Sequence, residues 1–203
     1  NEEHAYIKIG KDLKADRIPG VVLMWGTEEF LVEFYCRKLI STYVESACEA
    51  LDLVRLDPAS VTADDIIDNL ETIPLMSRRK VVYIPAFYNS RGRLPKAFAD
   101  SKAETDRLID YIDKLESEGV LLLISFEAQK DSRTEKEIRS SRLYKAIEKK
   151  AKAKAAAIYD FGQLEQSQLN SFIEKRLRAS GKQYQRGIVS LIARETGYLN
   201  KNI

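Results

Sequence analysis

The stretch VVLMWGTEEF, residues 21–30, joins a continuous apolar run to a turn and to the start of a helix. An uninterrupted run such as Val21–Trp25 is typical of a strand that is buried on both faces of a parallel sheet. Gly26 is expected to make the turn, and Thr27 to cap a helix that continues to about residue 47. The stretch therefore predicts the strand–turn–helix unit of an α/β fold.

The same alternation of strands and helices continues to about residue 161. Further strands are predicted at residues 52–56, 81–84, 120–125 and 155–161. Helices are predicted at about residues 3–15, 63–71, 97–117 and 134–152. The run VLLLIS at Val120–Ser125 is the most apolar, which places it at the centre of the sheet. Because alternating strands and helices form parallel sheets, we expect an α/β fold with a five-stranded parallel sheet flanked by helices.

After Phe161 the apolar residues recur at helical spacing and no further strand follows. One helix is predicted to end at Ser180-Gly181, and a second at about 187–196 is predicted to end at Gly197, before the stub LNKNI. Two helices close a bundle poorly, and the chain begins without Met. We therefore expect a fragment of a longer protein, with an α/β domain at 1–161 and a small all-helical lid domain at 162–203.

The composition of the 203-residue chain excludes several classes of protein. A net charge of +2 predicts no strong overall attraction to nucleic acid, and no apolar run reaches the ~20 residues that span a bilayer. Cys36 and Cys48 are expected on one helix, about 18 Å apart, which is beyond the reach of a disulfide. We interpret both as buried thiols of a protein in the reducing cytoplasm.

The predicted sheet followed by a helical lid resembles the plan of the AAA+ ATPases. A working ATP site would carry the pattern GxxxxGK[ST] after the first strand. Here Gly26 is followed by no second glycine and no lysine, and Glu28 and Glu29 stand where phosphates would lie. The third strand, Val81–Ile84, leads into Pro85-Ala86-Phe87 rather than into an acidic pair. The sequence therefore argues against ATP hydrolysis and predicts no cofactor.

Other catalytic and metal sites find little support in the sequence. The single histidine, His4, makes Ser–His–Asp and Cys–His chemistry implausible. Asp64, Asp65 and Asp68 could be imagined as a metal cluster, but the first half of a helix attracts acidic residues in any case. Asp65 is moreover expected to form a capping box with Thr62. We therefore predict no metal site and no active site in this chain.

The segment TIPLMSRRK, residues 72–80, is unusually apolar for a loop between a helix and a strand. Pro74 restricts the residue before it to extended geometry and helps to end the preceding helix. Leu75 and Met76 follow it and could form an apolar plug for the pocket of a partner, since Met adapts well to such surfaces. Equally, both side chains could fold back onto the core of the protein.

The segment Lys130–Lys154 carries ten basic residues against four acidic ones. Such an excess could attract a phosphate backbone, and it could equally be a solvated helix face. Tyr144 is the only aromatic residue within the segment, so stacking on single-stranded bases is unsupported. The residues that we consider as DNA-facing are Lys145, Lys149, Lys150, Lys152 and Lys154.

Taken in order, these features resemble the delta subunit of the bacterial DNA polymerase III clamp loader, over its two N-terminal domains. The stretches that carry the resemblance are Val21–Glu33, Thr72–Ile84, VLLLIS, Asp131-Ser132-Arg133, Leu143-Tyr144-Lys145 and the passage from IYDF into the helical unit. Each stretch alone is a weak motif, but their order and spacing are specific.

The resemblance implies an AAA+-like module, a helical lid, and a third, collar domain that this chain would lack. It implies a subunit of the polymerase III holoenzyme that does not hydrolyse ATP, binds the sliding clamp (the beta subunit) and helps to open it for loading onto primed DNA. Other clamp-loader subunits would be bound through the collar. In the family, an apolar pair before the third strand enters a pocket of the clamp, and Pro74, Leu75 and Met76 occupy that place. Family members often have an aromatic residue there.

Two rival functions remain beside this one. The first is a stand-alone nucleic-acid-binding module that uses the basic segment at 130–154. The second is a true P-loop ATPase subunit, which the missing glycine and lysine disfavour.

Overall fold

The computed structural model of the chain describes residues 3–89, 91–116, 119–127, 132–181, 183–185 and 187–196. Five strands form one sheet: β1 Val21–Gly26, β2 Leu53–Arg55, β3 Lys80–Ile84, β4 Val120–Glu127 and β5 Ala157–Phe161. Their order is β2-β3-β4-β1-β5, and all neighbouring pairs are parallel. The five-stranded parallel sheet is therefore confirmed, with VLLLIS in its central strand.

The helices of the described residues cover both faces of this sheet. In chain order they are α1 Ala5–Lys14, α2 Glu29–Tyr43, α3 Glu49–Asp52, α4 Ala63–Leu70, α5 Lys96–Asp100, α6 Lys102–Lys114, α7 Ser132–Ser140, α8 Arg142–Lys152, α9 Gln166–Ala179 and α10 Ile188–Thr196. The predicted capping box is present, because the Thr62 side chain and Asp65 bind each other's backbone amides at the start of α4. None of the helices in these ranges combines the length and the apolar composition that crossing a bilayer requires.

Helix α2 ends at Tyr43, four residues before the predicted end, and Cys48 lies in a separate 3-10 turn at Ser46–Cys48. The two cysteines are therefore not on one helix, although both are buried free thiols. The helix ends early because a distant loop binds the chain there: the Tyr43 carbonyl accepts the amide of Arg79, at 3.3 Å. At its other end the cap is Glu28 and not Thr27.

Two predicted helices are each divided by a serine. Ser101 separates α5 from α6, and its side chain accepts the amide of Glu104 at 3.3 Å. Ser141 separates α7 from α8 and accepts the amide of Tyr144 at 3.3 Å. Serine is a preferred residue before the first turn of a helix, so each serine begins a new helix where the apolar periodicity alone predicted a continuous one.

Helices α9 and α10 pack on the face of the sheet that α1 and α2 cover. Phe172 of α9 makes edge-on ring contacts with Tyr6, Phe30 and Phe34, at centroid distances of 6.0, 6.2 and 5.9 Å. The core beneath the helical pair is thus continuous with the core of the sheet. The domain boundary at 161/162 stays a prediction, and the predicted stop at Gly197 and the stub at 199–203 lie outside the described residues.

Candidate protein-docking site

The loop between α4 and β3, residues 71–79, presents the most exposed apolar side chains of the described chain. Ile73 is 79% exposed, Leu75 66% and Met76 75%. These three are half of the six large apolar side chains that are exposed in the described ranges, and they lie within four positions. An exposed apolar cluster of this kind marks an interaction surface. The exposed fractions contradict the alternative in which Leu75 and Met76 fold back onto the core.

A single buried carboxylate holds the backbone of this loop. The side chain of Asp52, at the end of α3, is 0% exposed. Its Oδ1 accepts the amide of Leu75 at 2.8 Å, and its Oδ2 accepts the amides of Met76 at 3.2 Å and Ser77 at 2.9 Å. These backbone hydrogen bonds, led by the one from Leu75, lower the pKa of Asp52 to about 2. The carboxylate is therefore ionised at neutral pH, and three consecutive amides point at it.

The end of the loop that leads into β3 is tied to the end of α2. The hydroxyl of Ser77 accepts the amide of Glu45 at 3.2 Å. The guanidinium groups of Arg78 and Arg79 lie over the ring of Tyr43, at 5.5 and 4.5 Å from its centroid. The face of an aromatic ring attracts cations through its quadrupole. Both arginines therefore help to fix the direction in which the loop enters β3.

Two further contacts close the base of the loop. The Lys80 ammonium donates a hydrogen bond to the hydroxyl of Thr72, which joins the two ends of the segment. The Arg78 guanidinium pairs with Asp16 at 2.7 Å, and this partner together with its charge lowers the pKa of Asp16. The loop is thus held at its base and along its backbone, while its apolar side chains face solvent.

The turn after β1, where an ATPase would bind phosphates, is occupied by the end of β5. Gly26 has a φ of +147°, and a Cβ built there would lie 2.2 Å from the carbonyl oxygen of Phe161. That same oxygen accepts the amide of Glu28 at 3.1 Å, and the Glu28 side chain is buried. A phosphate cradle needs turn amides that point at the ligand. Here one of these amides already has a protein acceptor, and a carboxylate is buried beside it.

The acidic residues considered as a metal cluster, Asp64, Asp65 and Asp68, lie on α4. Asp64 pairs with Arg107 at 2.6 Å, and Asp65 serves the capping box. A different trio, Glu29, Glu33 and Glu127, brings one carboxylate oxygen each within 4.8 Å of the others at the end of β4. Exposed acidic groups often approach one another without a metal, so this trio alone does not indicate a metal site.

The five lysines singled out in the basic segment separate into two groups. Lys145, Lys149, Lys152 and Lys154 are exposed on α8 and just after it, and Lys152 lies 3.7 Å from Glu148. Lys150 instead donates to carbonyls at the end of α6, those of Ile112, Asp113 at 3.2 Å and Leu115 at 3.0 Å. Burial lowers the pKa of Lys150.

A cation at these carbonyls satisfies groups that the helix itself leaves without partners. Lys150 therefore has a structural role, and four lysines remain for contact with DNA. The start of the segment, Lys130 and Asp131, lies outside the described residues.

Cys36 lies on the buried face of α2, with its Sγ 3.6 Å from the sulfur of Met24, and burial raises the pKa of its thiol to about 12. The thiolate is the reactive form, so this cysteine is unreactive at neutral pH.

The sequence singled out Leu75 and Met76 as candidates, but it did not point to Asp52 or Ile73. Asp52 was placed inside a strand, because the mixed pattern at 52–56 gives no sign of a contact 23 to 25 positions away. Ile73 lies directly before Pro74 and was not singled out from the sequence. The sequence did carry one signal for Ile73: Ile73 and Leu75 flank Pro74 on the same short loop, which indicates an apolar surface larger than the pair Leu75 and Met76.

The sequence matches a protein family described as "DNA polymerase III, delta subunit" over residues 22–157, which is more than half of the chain. No curated protein matches it significantly. Among solved structures, the Bacillus subtilis DNA clamp loader delta protein (YqeN) has a similar fold, with a TM-score of 0.64 and 20% identity. The alignment covers 92% of this chain and 51% of that one, so the chain spans about half the length of the protein it matches.

Two other structures are similar at lower scores. A DNA polymerase III gamma subunit-related protein from Thermotoga maritima aligns with a TM-score of 0.45 and 11% identity, over 85% of this chain and 50% of its own. The AAA domain of FIGL-1, solved with ADP, aligns with a TM-score of 0.43 and 13% identity, over 88% and 55%. The parallel sheet flanked by helices and the helical C-terminal part are as the sequence predicted, and the Bacillus subtilis protein shares this fold.

Proposed function

Because the chain belongs to the family of the DNA polymerase III delta subunit, we propose that it binds the sliding clamp through Leu75 and Met76. The observation that carries the proposal is their exposure, 66% and 75%, on a loop whose backbone is fixed. Pro74 lies directly before the pair and keeps the preceding residue extended. The loop offers apolar area to a partner without a large change in its own structure.

Binding energy, and no chemistry in this chain, drives the proposed opening of the clamp. Burying an apolar side chain is worth about 1.5–3 kcal/mol, which is enough to favour one conformation of a partner. A ligand shifts such an equilibrium only by its difference in affinity for the two states. The pair must therefore bind more tightly to a clamp whose subunit interface is weakened, and the weakened clamp is then loaded onto primed DNA.

The proposed subunit does not hydrolyse ATP. The turn after β1 has no lysine to neutralise phosphates, Phe161 approaches Gly26 closely, and the Glu28 amide donates to Phe161. We further propose that the other clamp-loader subunits are bound through a collar domain; the chain spans about half the length of its Bacillus relative.

Contact with primed DNA is a second candidate function, favoured by one observation. Lys145, Lys149 and Lys152 are exposed at positions i, i+4 and i+7 of α8, which places them on one face of the helix. Tyr144 beside them is buried, so it offers no exposed ring for stacking on bases. Phosphate contacts without base stacking would give binding that weakens steeply with salt.

The experiment that tests clamp docking is a calorimetric titration of the sliding clamp with the wild-type chain and with the Leu75→Ala, Met76→Ala double variant. We expect micromolar or tighter binding by the wild type and a large loss in the variant. Equal affinity of the two proteins would remove the loop from the proposed function.

A further inference from the structure

The buried, charged carboxylate of Asp52 would be unfavourable without the hydrogen bonds that the loop at 71–79 donates to it. Asp52 is the last residue of the short helix α3, and its side chain is 0% exposed. Burial disfavours the charge of a carboxylate. Three amide donors within 3.2 Å offset this effect. The residue is thus stabilised by the loop that it holds.

The loop depends on Asp52 in turn. Leu75 and Met76 are exposed, so side-chain packing does little to fix their backbone. The hydrogen bonds that the amides of Leu75, Met76 and Ser77 donate all end on the carboxylate of Asp52. Successive amides directed at one acceptor form a concave nest, which leaves the side chains of the same residues on the outside.

We propose that Asp52 is a positioning residue for clamp docking, whose buried carboxylate holds Leu75 and Met76 in the binding conformation before the clamp arrives. This inference rests on the function proposed above. If a loop adopts its binding conformation only part of the time, its apparent affinity is the intrinsic affinity multiplied by the fraction of molecules in that conformation. Asp52 therefore sets affinity without touching the clamp.

The wild-type protein gives the first test, by hydrogen exchange at single-residue resolution. Amides that are hydrogen-bonded to a buried acceptor exchange slowly even where their side chains face water. We expect the amides of Leu75, Met76 and Ser77 to be protected in the free chain. Exchange of these three amides at the rate of an unstructured peptide would overturn the proposal, whatever the variants show.

The second test is Asp52→Asn, which keeps the size of the side chain but turns one acceptor oxygen into a donor. We expect faster exchange at the three amides and a loss of clamp affinity of about 10- to 100-fold, as the competent fraction of the loop falls to about a tenth or a hundredth. Asp57→Asn is the matched control, because Asp57 also accepts a loop amide, that of Ala59 at 2.9 Å, but far from residues 75–77 in sequence. This control should leave the affinity unchanged.

A double-mutant comparison separates positioning from a general effect on stability. In the Leu75→Ala, Met76→Ala background, Asp52→Asn should cause no further loss of affinity, because nothing remains to be positioned. A loss of the same size in both backgrounds would overturn the proposal. If Asp52→Asn fails to fold, Asp52→Glu replaces it, since it keeps the charge and displaces the acceptor by one methylene.

The outcomes distinguish this inference from the proposed function. If Leu75→Ala with Met76→Ala leaves clamp affinity unchanged, the proposed function fails. If that variant loses affinity while Asp52→Asn retains it with the three amides released, only the inference about Asp52 fails.

Discussion

Replacing Leu75 and Met76 together by alanine removes the apolar area on which the proposed clamp docking depends. The side chains are 66% and 75% exposed, so a partner can still bury most of each. Full burial of either is worth about 1.5–3 kcal/mol, and scaling by the exposed fractions leaves about 1–2 kcal/mol for each. The double variant should therefore bind the clamp about 2–4 kcal/mol more weakly, which is about 30- to 700-fold in Kd.

Isothermal titration calorimetry at several temperatures measures both the affinity and the area that is buried. Burial of apolar surface gives a negative heat-capacity change on binding, which should be smaller in magnitude for the double variant. Leu191→Ala is the matched control, because Leu191 is also exposed, at 45%, but lies on α10. Circular dichroism and thermal unfolding should show the same fold for all three proteins.

Two results would refute this reasoning. An unchanged Kd in the double variant would show that the pair does not enter the interface. An equal loss from Leu191→Ala would show that the clamp binds another face of the protein, or that any exposed leucine contributes alike.

Three further predictions concern other parts of the chain. Phe172→Ala should lower the free energy of unfolding by about 3–5 kcal/mol in urea titrations, because Phe172 is 3% exposed and joins the helical pair to α1 and α2; a change below about 1 kcal/mol would contradict this packing. Equilibrium binding of labelled ATP should show no saturation, since the turn at Gly26 lacks a phosphate cradle, and micromolar affinity would disprove it. Alanine at Lys145, Lys149 and Lys152 should reduce the salt dependence of DNA binding by about 0.9 in slope per contacting lysine, and undetectable binding by the wild type at low salt would remove this role.

The sheet could be predicted from the sequence because strands that are buried on both faces consist of uninterrupted apolar residues. Val21–Trp25 and Val120–Ser125 are uninterrupted apolar runs, and such runs form the central strands of a parallel sheet. The capping box of Thr62 and Asp65 was predictable for a different reason, since both partners lie within one turn of helix. Patterns that are local, or that repeat along an element, can be identified in a single sequence.

The boundaries that were wrong depend on contacts between distant segments or on single capping residues. Helix α2 ends at Tyr43 because the loop before β3 binds the backbone there. The sequence near Tyr43 contains no pattern that predicts this contact. Ser101 and Ser141 each begin a helix, but the apolar spacing continues across both. Periodicity therefore merges pairs of helices that the serine side chains separate.

The candidate site was only half predictable for the same physical reason. Leu75 and Met76 stand out because an apolar pair is unusual in a loop, and that is a property of the sequence itself. Asp52 acts through a carboxylate that reaches amides 23 to 25 positions away, and such a contact exists only once β2 and β3 are paired. The residues proposed to dock can be identified from their chemistry alone, whereas the residue proposed to position them can be identified only from the fold.

The loop before β3 and the turn after β1 lie at opposite ends of the parallel strands. All strands run in the same direction, Gly26 ends β1, and Lys80 begins β3. Strands of five or six residues at about 3.3 Å per residue separate the two ends by about 17–20 Å. The contacts that fill the turn, from Phe161 to Gly26 and Glu28, share no residue with those that hold the loop. The turn and the loop are thus held by separate sets of contacts, so the absence of a phosphate cradle at the turn is compatible with a fixed apolar loop at the other end of the strands.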